Sequence, residues 1–151
     1  MENERVNKLK AFEFLCDNRF GVLSTISSEG FTPQSAVVYY VVDQKFIYFI
    51  TTKQSRKFKN LNKNNNVSLT VFSETQPLEL QIEGTTEVIT DPDKKSYITK
   101  IYLEHANKQS LTSNKFEEKN PDTINWPPIL KVPHTQGFEF LRLAVNWFKY
   151  S

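Results

Sequence analysis

The chain opens on an apolar residue at every third or fourth position, Val6, Leu9, Phe12 and Leu15/Cys16. That spacing predicts one face of an N-terminal amphipathic helix. From Phe20 to Ser27 the pattern reads as a strand, and Ser28, Glu29 and Gly30 as the turn that ends it. Thr32 to Asp43 follows as a second strand, apolar on both faces, with Val37, Tyr39 and Val41 on one and Val38, Tyr40 and Val42 on the other. Such a strand is expected to be covered twice. A short turn, Asp43-Gln44-Lys45, leads into Phe46 to Thr51, so the second and third strands are expected to form a hairpin.

Ser55 can cap a short helix that carries Phe58 and Leu61 on one side, and the run Asn62 to Asn66 ends it. Val67, Leu69 and Val71 alternate with Ser68 and Thr70 as a fourth strand. The clearest alternation sets Leu78, Leu80, Ile82, Thr86 and Val88 against Glu79, Gln81, Glu83, Thr85 and Glu87, a strand with one wet face. Asp91-Pro92 starts a helix, Asp as N-cap and Pro at the first helical position. Tyr97, Ile98, Ile101, Tyr102 and His105 share a face of it, and His105 is expected there as a packed or hydrogen-bonded residue. Ala106 to Gln136, polar and punctuated by Pro121, Pro127, Pro128 and Pro133, reads as a long loop or lid that contains His134. Gly137 to Tyr150 is a last, aromatic strand. The sum is one domain over 1–151, mainly β or α+β: an antiparallel barrel of five or six strands with about three peripheral helices.

Composition narrows the chemistry. Cys16 is the single cysteine, and His105 and His134 stand far apart, which excludes a disulfide framework and a clustered metal site. The four glycines are too dispersed for a phosphate-binding glycine loop. No apolar run reaches membrane-spanning length, and MENERVNKLK lacks the apolar core of a signal peptide, so a cytoplasmic location away from membranes is expected. No catalytic residue stands out.

Charge is balanced overall, at +2, but not locally. Residues 44–73 hold six basic groups (Lys45, Lys53, Arg56, Lys57, Lys59 and Lys63) and no acid. A local positive field of this kind attracts an anion. Within it, Ile50 to Leu61 (ITTKQSRKFKNL) joins a strand end to a helix start. Cations in a first helical turn are unfavourable by about 0.3–1 kcal/mol each, and a bound phosphate reverses the sign. Thr51 and Thr52 hydroxyls, backbone N–H groups and a two-pronged Arg56 contact would complete such a site. A solvated basic face is one competing reading, and a small nucleic-acid binder using the 44–73 segment is another, which the near-neutral total charge disfavours.

The order of these pieces resembles the pyridoxamine 5′-phosphate oxidase-like, FMN-binding split-barrel proteins. The shared features are a strand carrying Ser24-Thr25, a turn with Gly30, a second strand led by Pro33 and a third running Tyr48 to Thr51. The helix start Ser55-Arg56-Lys57, Asn60-Leu61, the Val67-Ser68-Leu69 strand and a closing strand with Trp147 follow. The resemblance implies a split β-barrel homodimer with FMN sites at its interface. It sets Arg56 and Lys57 on the FMN phosphate with Thr51 and Thr52 beside them, and the backbone of Val37 and Val38 along the flavin ring. Glu79 falls near a position where relatives carry a ring-contacting Gln, and Trp147 would approach from the partner subunit. The implied activity is flavin-dependent oxidation or reduction of a small substrate. A non-catalytic flavin or haem module is the alternative, with a deazaflavin or haem in place of FMN. Two departures stand out: Gln34 replaces a basic residue that helps hold the cofactor phosphate, and no His follows Arg142 to complete a substrate-phosphate motif.

Overall fold

The computed structural model describes residues 2–117 and 137–151. Six strands form a closed antiparallel barrel: β1 (Phe20–Ile26), β2 (Pro33–Asp43), β3 (Phe46–Thr52), β4 (Asn66–Phe72), β5 (Glu79–Val88) and β6 (Phe138–Tyr150). Their order around the barrel is β1-β2-β3-β6-β5-β4. Period-two alternation does what it should. Leu23, Val38, Tyr40, Phe49, Leu69, Leu80, Ile82, Leu141 and Leu143 point inward and are buried in one core.

Helix α1 (Glu2–Asp17) packs Ala11, Phe14 and Leu15 onto that core. The Tyr40 hydroxyl donates to the Leu15 carbonyl at 2.7 Å, and the Phe14 and Tyr150 rings meet at 5.4 Å. This corrects the face expected for the helix. Val6, Leu9, Phe12 and Cys16 are exposed, because the tighter stripe Ala11-Phe14-Leu15 is the one that reaches the barrel.

Helix α3 (Pro92–Glu117) covers the outside of β2, β3 and β6. Ile98 and Tyr102 pack with Tyr39, Val41, Tyr48, Ile50 and Phe140 in a second cluster. The double-sided apolarity of β2 therefore has two owners from Val38 to Val41. Val37 does not share in it and is 48% exposed. The Asp91 carboxylate accepts from the Asp93 N–H, as a cap should. His105 is hydrogen-bonded, its Nδ1 lying 2.8 Å from Arg19 Nη1.

Residues 106–117 continue α3 and are not loop, which corrects the expected 106–136 loop over those positions. The first helix breaker after Pro92 is Pro121, and polarity without Gly or Pro does not stop a helix. The rest of that stretch, 118–136 with His134, lies outside the described residues. No helix among the described residues is long and apolar enough to cross a membrane.

Candidate anion and cofactor site

Helix α2 (Arg56–Lys63) sits at the Thr25 end of β1, beside the start of β2. Leu61 joins the barrel core, and buried Asn60 ties the helix to both strands below it. Ser55 is its N-cap, in extended conformation, and the Ser55 Oγ accepts the Phe58 N–H at 3.1 Å. The N–H groups of Arg56 and Lys57 precede the helical ladder, as the first turn of any helix requires. Thr51 is buried at the end of β3, and its Oγ1 lies 2.7 Å from Ser55 Oγ. Two hydroxyls share one hydrogen bond here, so one hydroxyl proton remains to be donated elsewhere, whichever oxygen accepts. The Ser55 N–H donates to the Thr52 carbonyl at 3.1 Å, which folds the Lys53–Ser55 turn back on the strand.

The structure narrows the basic field. Lys53 pairs with Glu139 at 3.3 Å, a carboxylate that also takes Lys95 at 3.1 Å. Lys63 donates to the Ser28 carbonyl at 2.6 Å, and Lys45 lies over the Phe46 ring at the hairpin between β2 and β3. Arg56, Lys57 and Lys59 have no acidic partner among the described residues, and no acid occupies the first turn of α2. Lys57 is partly buried, and burial pushes its ammonium below the usual lysine range. Positive charge is thus concentrated at one helix start, unscreened by carboxylates, where the dipole adds to it.

Beside that helix start the barrel is split. β2 pairs with β3 only from Tyr40↔Phe49 to Asp43↔Phe46. Continuing the register would set Val38 opposite Thr51 and Val37 opposite Thr52, but the strands have parted there. The Tyr40 N–H donates to the Arg19 carbonyl on the β1 side. Alternation then turns the Val37 N–H and C=O to the other edge, which β3 leaves unpaired. Backbone groups of this kind need partners. Val38 buries its side chain in the barrel and, like Tyr40, turns its N–H and C=O to β1, where it pairs with Gly21; the Val37 side chain looks outward. It helps to line a groove of about 700 Å³ with Arg19, Val22 and Phe72. Three residues of strand, or roughly 10 Å, separate Gln34 beside α2 from Val37 in this groove.

A single chain thus brings together Thr51, Thr52, Arg56 and Lys57, with the Val37–Val38 edge adjacent. Glu79 and Trp147 do not join them. Glu79 starts β5 opposite Phe72, with its Oε1 accepting from Gln81 Nε2 at 2.7 Å. Trp147 stands 46% exposed on the outer wall, opposite Glu83. Sequence reasoning missed Asn60 as a hub. It donates to Thr25 Oγ1 (2.9 Å) and Gln34 Oε1 (2.8 Å) and accepts the Ser28 N–H (2.8 Å). The available signal was a poor helix former kept directly before Leu61 on the inward side of a short helix. Among the described residues no group of three or more His, Cys, Asp or Glu could hold a metal ion.

The family model "Pyridoxamine 5'-phosphate oxidase" matches residues 8–126. A pyridoxine/pyridoxamine 5'-phosphate oxidase of Leptospira biflexa is 30% identical over 93 residues, covering 62% of this chain and 43% of the relative. The chain therefore spans less than half the length of that curated relative. Among solved structures, the haem storage protein HutZ of Vibrio cholerae superposes with a TM-score of 0.65 at 16% identity, covering 95% of this chain and 93% of that one. General Stress Protein 26 of Bacillus anthracis gives 0.61 at 20%, covering 93% and 91%. An F420 reductase gives 0.55 at 19%, covering 87% and 89%. At such identities the likeness is one of fold. The family match extends from α1 to beyond α3 and takes in both the parted β2–β3 edge and the α2 start, and the chain belongs to the pyridoxamine 5'-phosphate oxidase family.

Proposed function

We propose that this protein binds FMN in the split between β2 and β3 and works as a flavin-dependent oxidoreductase on a small substrate. The observation that carries this reading is the unpaired Val37 backbone edge lying beside a helix start whose Arg56 and Lys57 have no acidic partner among the described residues. Arg56, Lys57, the first N–H groups of α2 and the Thr51–Ser55 hydroxyl pair hold the phosphate, with Thr52 alongside. The Val37 N–H and C=O offer a donor and an acceptor to a planar heterocycle, and the Val38 backbone borders it. FMN, when bound, supplies the redox chemistry, and the protein supplies orientation and access. The fold family also has relatives named for haem and F420, so a haem or deazaflavin occupant is the alternative within the same cleft.

The exposed apolar side chains of the outer wall, Val37, Phe72, Val145 and Trp147, support a homodimer. In it, Glu79 and Trp147 of a second copy reach the cofactor that one chain's α2 holds. Lys45, Lys53 and Lys63 are directed to other partners, which favours a point-like phosphate site over a nucleic-acid stripe. The test is calorimetric titration of the protein with FMN, riboflavin, haem and single-stranded DNA. FMN binding that drops about a hundredfold in the Arg56→Ala/Lys57→Ala variant supports the reading, since charged hydrogen bonds are worth about 1.5–3 kcal/mol each. Preference for haem or DNA over FMN overturns it.

A further inference from the structure

We infer that Glu139 sets the charge class of the ligand taken at the α2 start, by holding Lys53 and Lys95 back from it. Resting on the phosphate site proposed above, this makes that site selective for a monoester phosphate over a diphosphate. Glu139 lies directly opposite Thr51 in the β3–β6 ladder, one strand away from the Thr51–Ser55 hydroxyl pair. It is 9% exposed, and a carboxylate withdrawn from water needs opposite charge beside it. Two ammonium groups supply that charge: Lys53, from the turn before α2, at 3.3 Å from Oε1, and Lys95, from α3, at 3.1 Å from Oε2. Among the described residues no aligned hydrogen bond reaches Oε2, so charge is what holds Lys95 there.

The backbone brings Lys53 close to the anion site. Its N–H donates to the Gly137 carbonyl at 2.9 Å, and it stands three residues before Arg56 in the turn that leads into α2. The Lys53 and Lys95 side chains are 56% and 38% exposed, against 11% for Glu139, so the ammonium groups have room to swing and the carboxylate does not. Together the three side chains carry one positive charge; with the carboxylate neutralised they would carry two. Arg56 and Lys57, which have no acidic partner among the described residues, already match the charge of one phosphate monoester dianion. Further cations within a Debye length favour a more highly charged ligand, and a carboxylate at the same place disfavours it. Glu139 is thus a specificity-determining residue that acts through Lys53 and Lys95 and does not itself touch the ligand.

The test is calorimetric titration of the wild type and Glu139→Gln with inorganic phosphate, pyrophosphate and FMN at low salt and about pH 8, where phosphate is a dianion. Glutamine keeps the shape of the side chain and removes its charge. The wild type should bind pyrophosphate within about threefold of phosphate. Glu139→Gln should bind pyrophosphate at least about tenfold tighter than the wild type does, with phosphate and FMN tightened only a few-fold, and adding Lys53→Met should take back most of the gain. Thermal unfolding checks that the fold is kept. A purely structural tie would lower stability and leave the ratio of pyrophosphate to phosphate affinity unmoved, which would overturn the inference. A wild type that already prefers pyrophosphate by about tenfold would overturn it without any variant. Pyrophosphate selectivity gained in Glu139→Gln, with no FMN binding by the wild type, would keep the inference and sink the flavin reading. FMN binding with the same ratio in both proteins would overturn the inference alone. No binding of phosphate, pyrophosphate or FMN by either protein would overturn both.

Discussion

Thr51 Oγ1 and Ser55 Oγ lie 2.7 Å apart, joining the last buried hydroxyl of β3 to the cap of α2. The pair couples the strand that parts from β2 to the helix that carries cations without an acidic partner among the described residues. It also assigns different losses to its two members. Ser55→Ala removes the helix cap and the partner of Thr51 together, and should cost about 1 kcal/mol or more of stability with a marked loss of FMN affinity. Thr51→Val leaves the cap and the Ser55 proton in place, and should cost no more than about 1 kcal/mol and only a few-fold in affinity. Urea unfolding and calorimetry of both variants check this ranking.

Lys57 gives a pH signature. Its folded ammonium is held below the usual lysine range by burial, so the unfolded chain binds more protons at alkaline pH. The ligand-free protein should therefore gain stability from this residue as pH rises through the folded value. A bound phosphate favours the charged form and raises that value again. FMN affinity, measured relative to riboflavin, should accordingly fall as pH rises through the ligand-free value, and Lys57→Met should remove the trend.

Gly84 marks a close approach at the bulge between β5 and β6. A Cβ added there would land on the Ala144 carbonyl oxygen. Gly84→Ala should destabilise by about 1–3 kcal/mol in chemical denaturation, because backbone cannot step aside as a flexible side chain does.

Gln44 stands with φ 55° in the two-residue turn between β2 and β3, at the position where this kind of hairpin prefers glycine. Gln44→Gly should raise stability by about 0.5–1 kcal/mol in the same measurement, with ligand binding unchanged.

These sites differ in how far the sequence reveals them. Alternation along Leu78 to Val88 and the double-sided run of β2 announce strands, since a period of two is a local property. Ser55-Arg56-Lys57 announces its site because cations in a first helical turn are locally anomalous. The inward face of α1 is less legible. Val6, Leu9 and Phe12 match a helical period as well as Ala11, Phe14 and Leu15 do, and only contact with Tyr40 and Tyr150 decides between them. The Asn60 hub is invisible for the same reason. Its partners Thr25, Ser28 and Gln34 lie at least 26 residues away, and nothing in the sequence says that they meet. The parting of β2 from β3 beyond Tyr40 is likewise set by packing, as both strands remain strongly β-prone past that point.

The most direct measurement is a calorimetric titration of the wild-type and Arg56→Ala/Lys57→Ala proteins with FMN and with riboflavin. The predicted result is tight FMN binding by the wild type, weakened about a hundredfold in the double variant, with riboflavin weak and equal in both. Absence of FMN binding by the wild type, or FMN affinity indifferent to Arg56 and Lys57, would contradict a phosphate site at the start of α2.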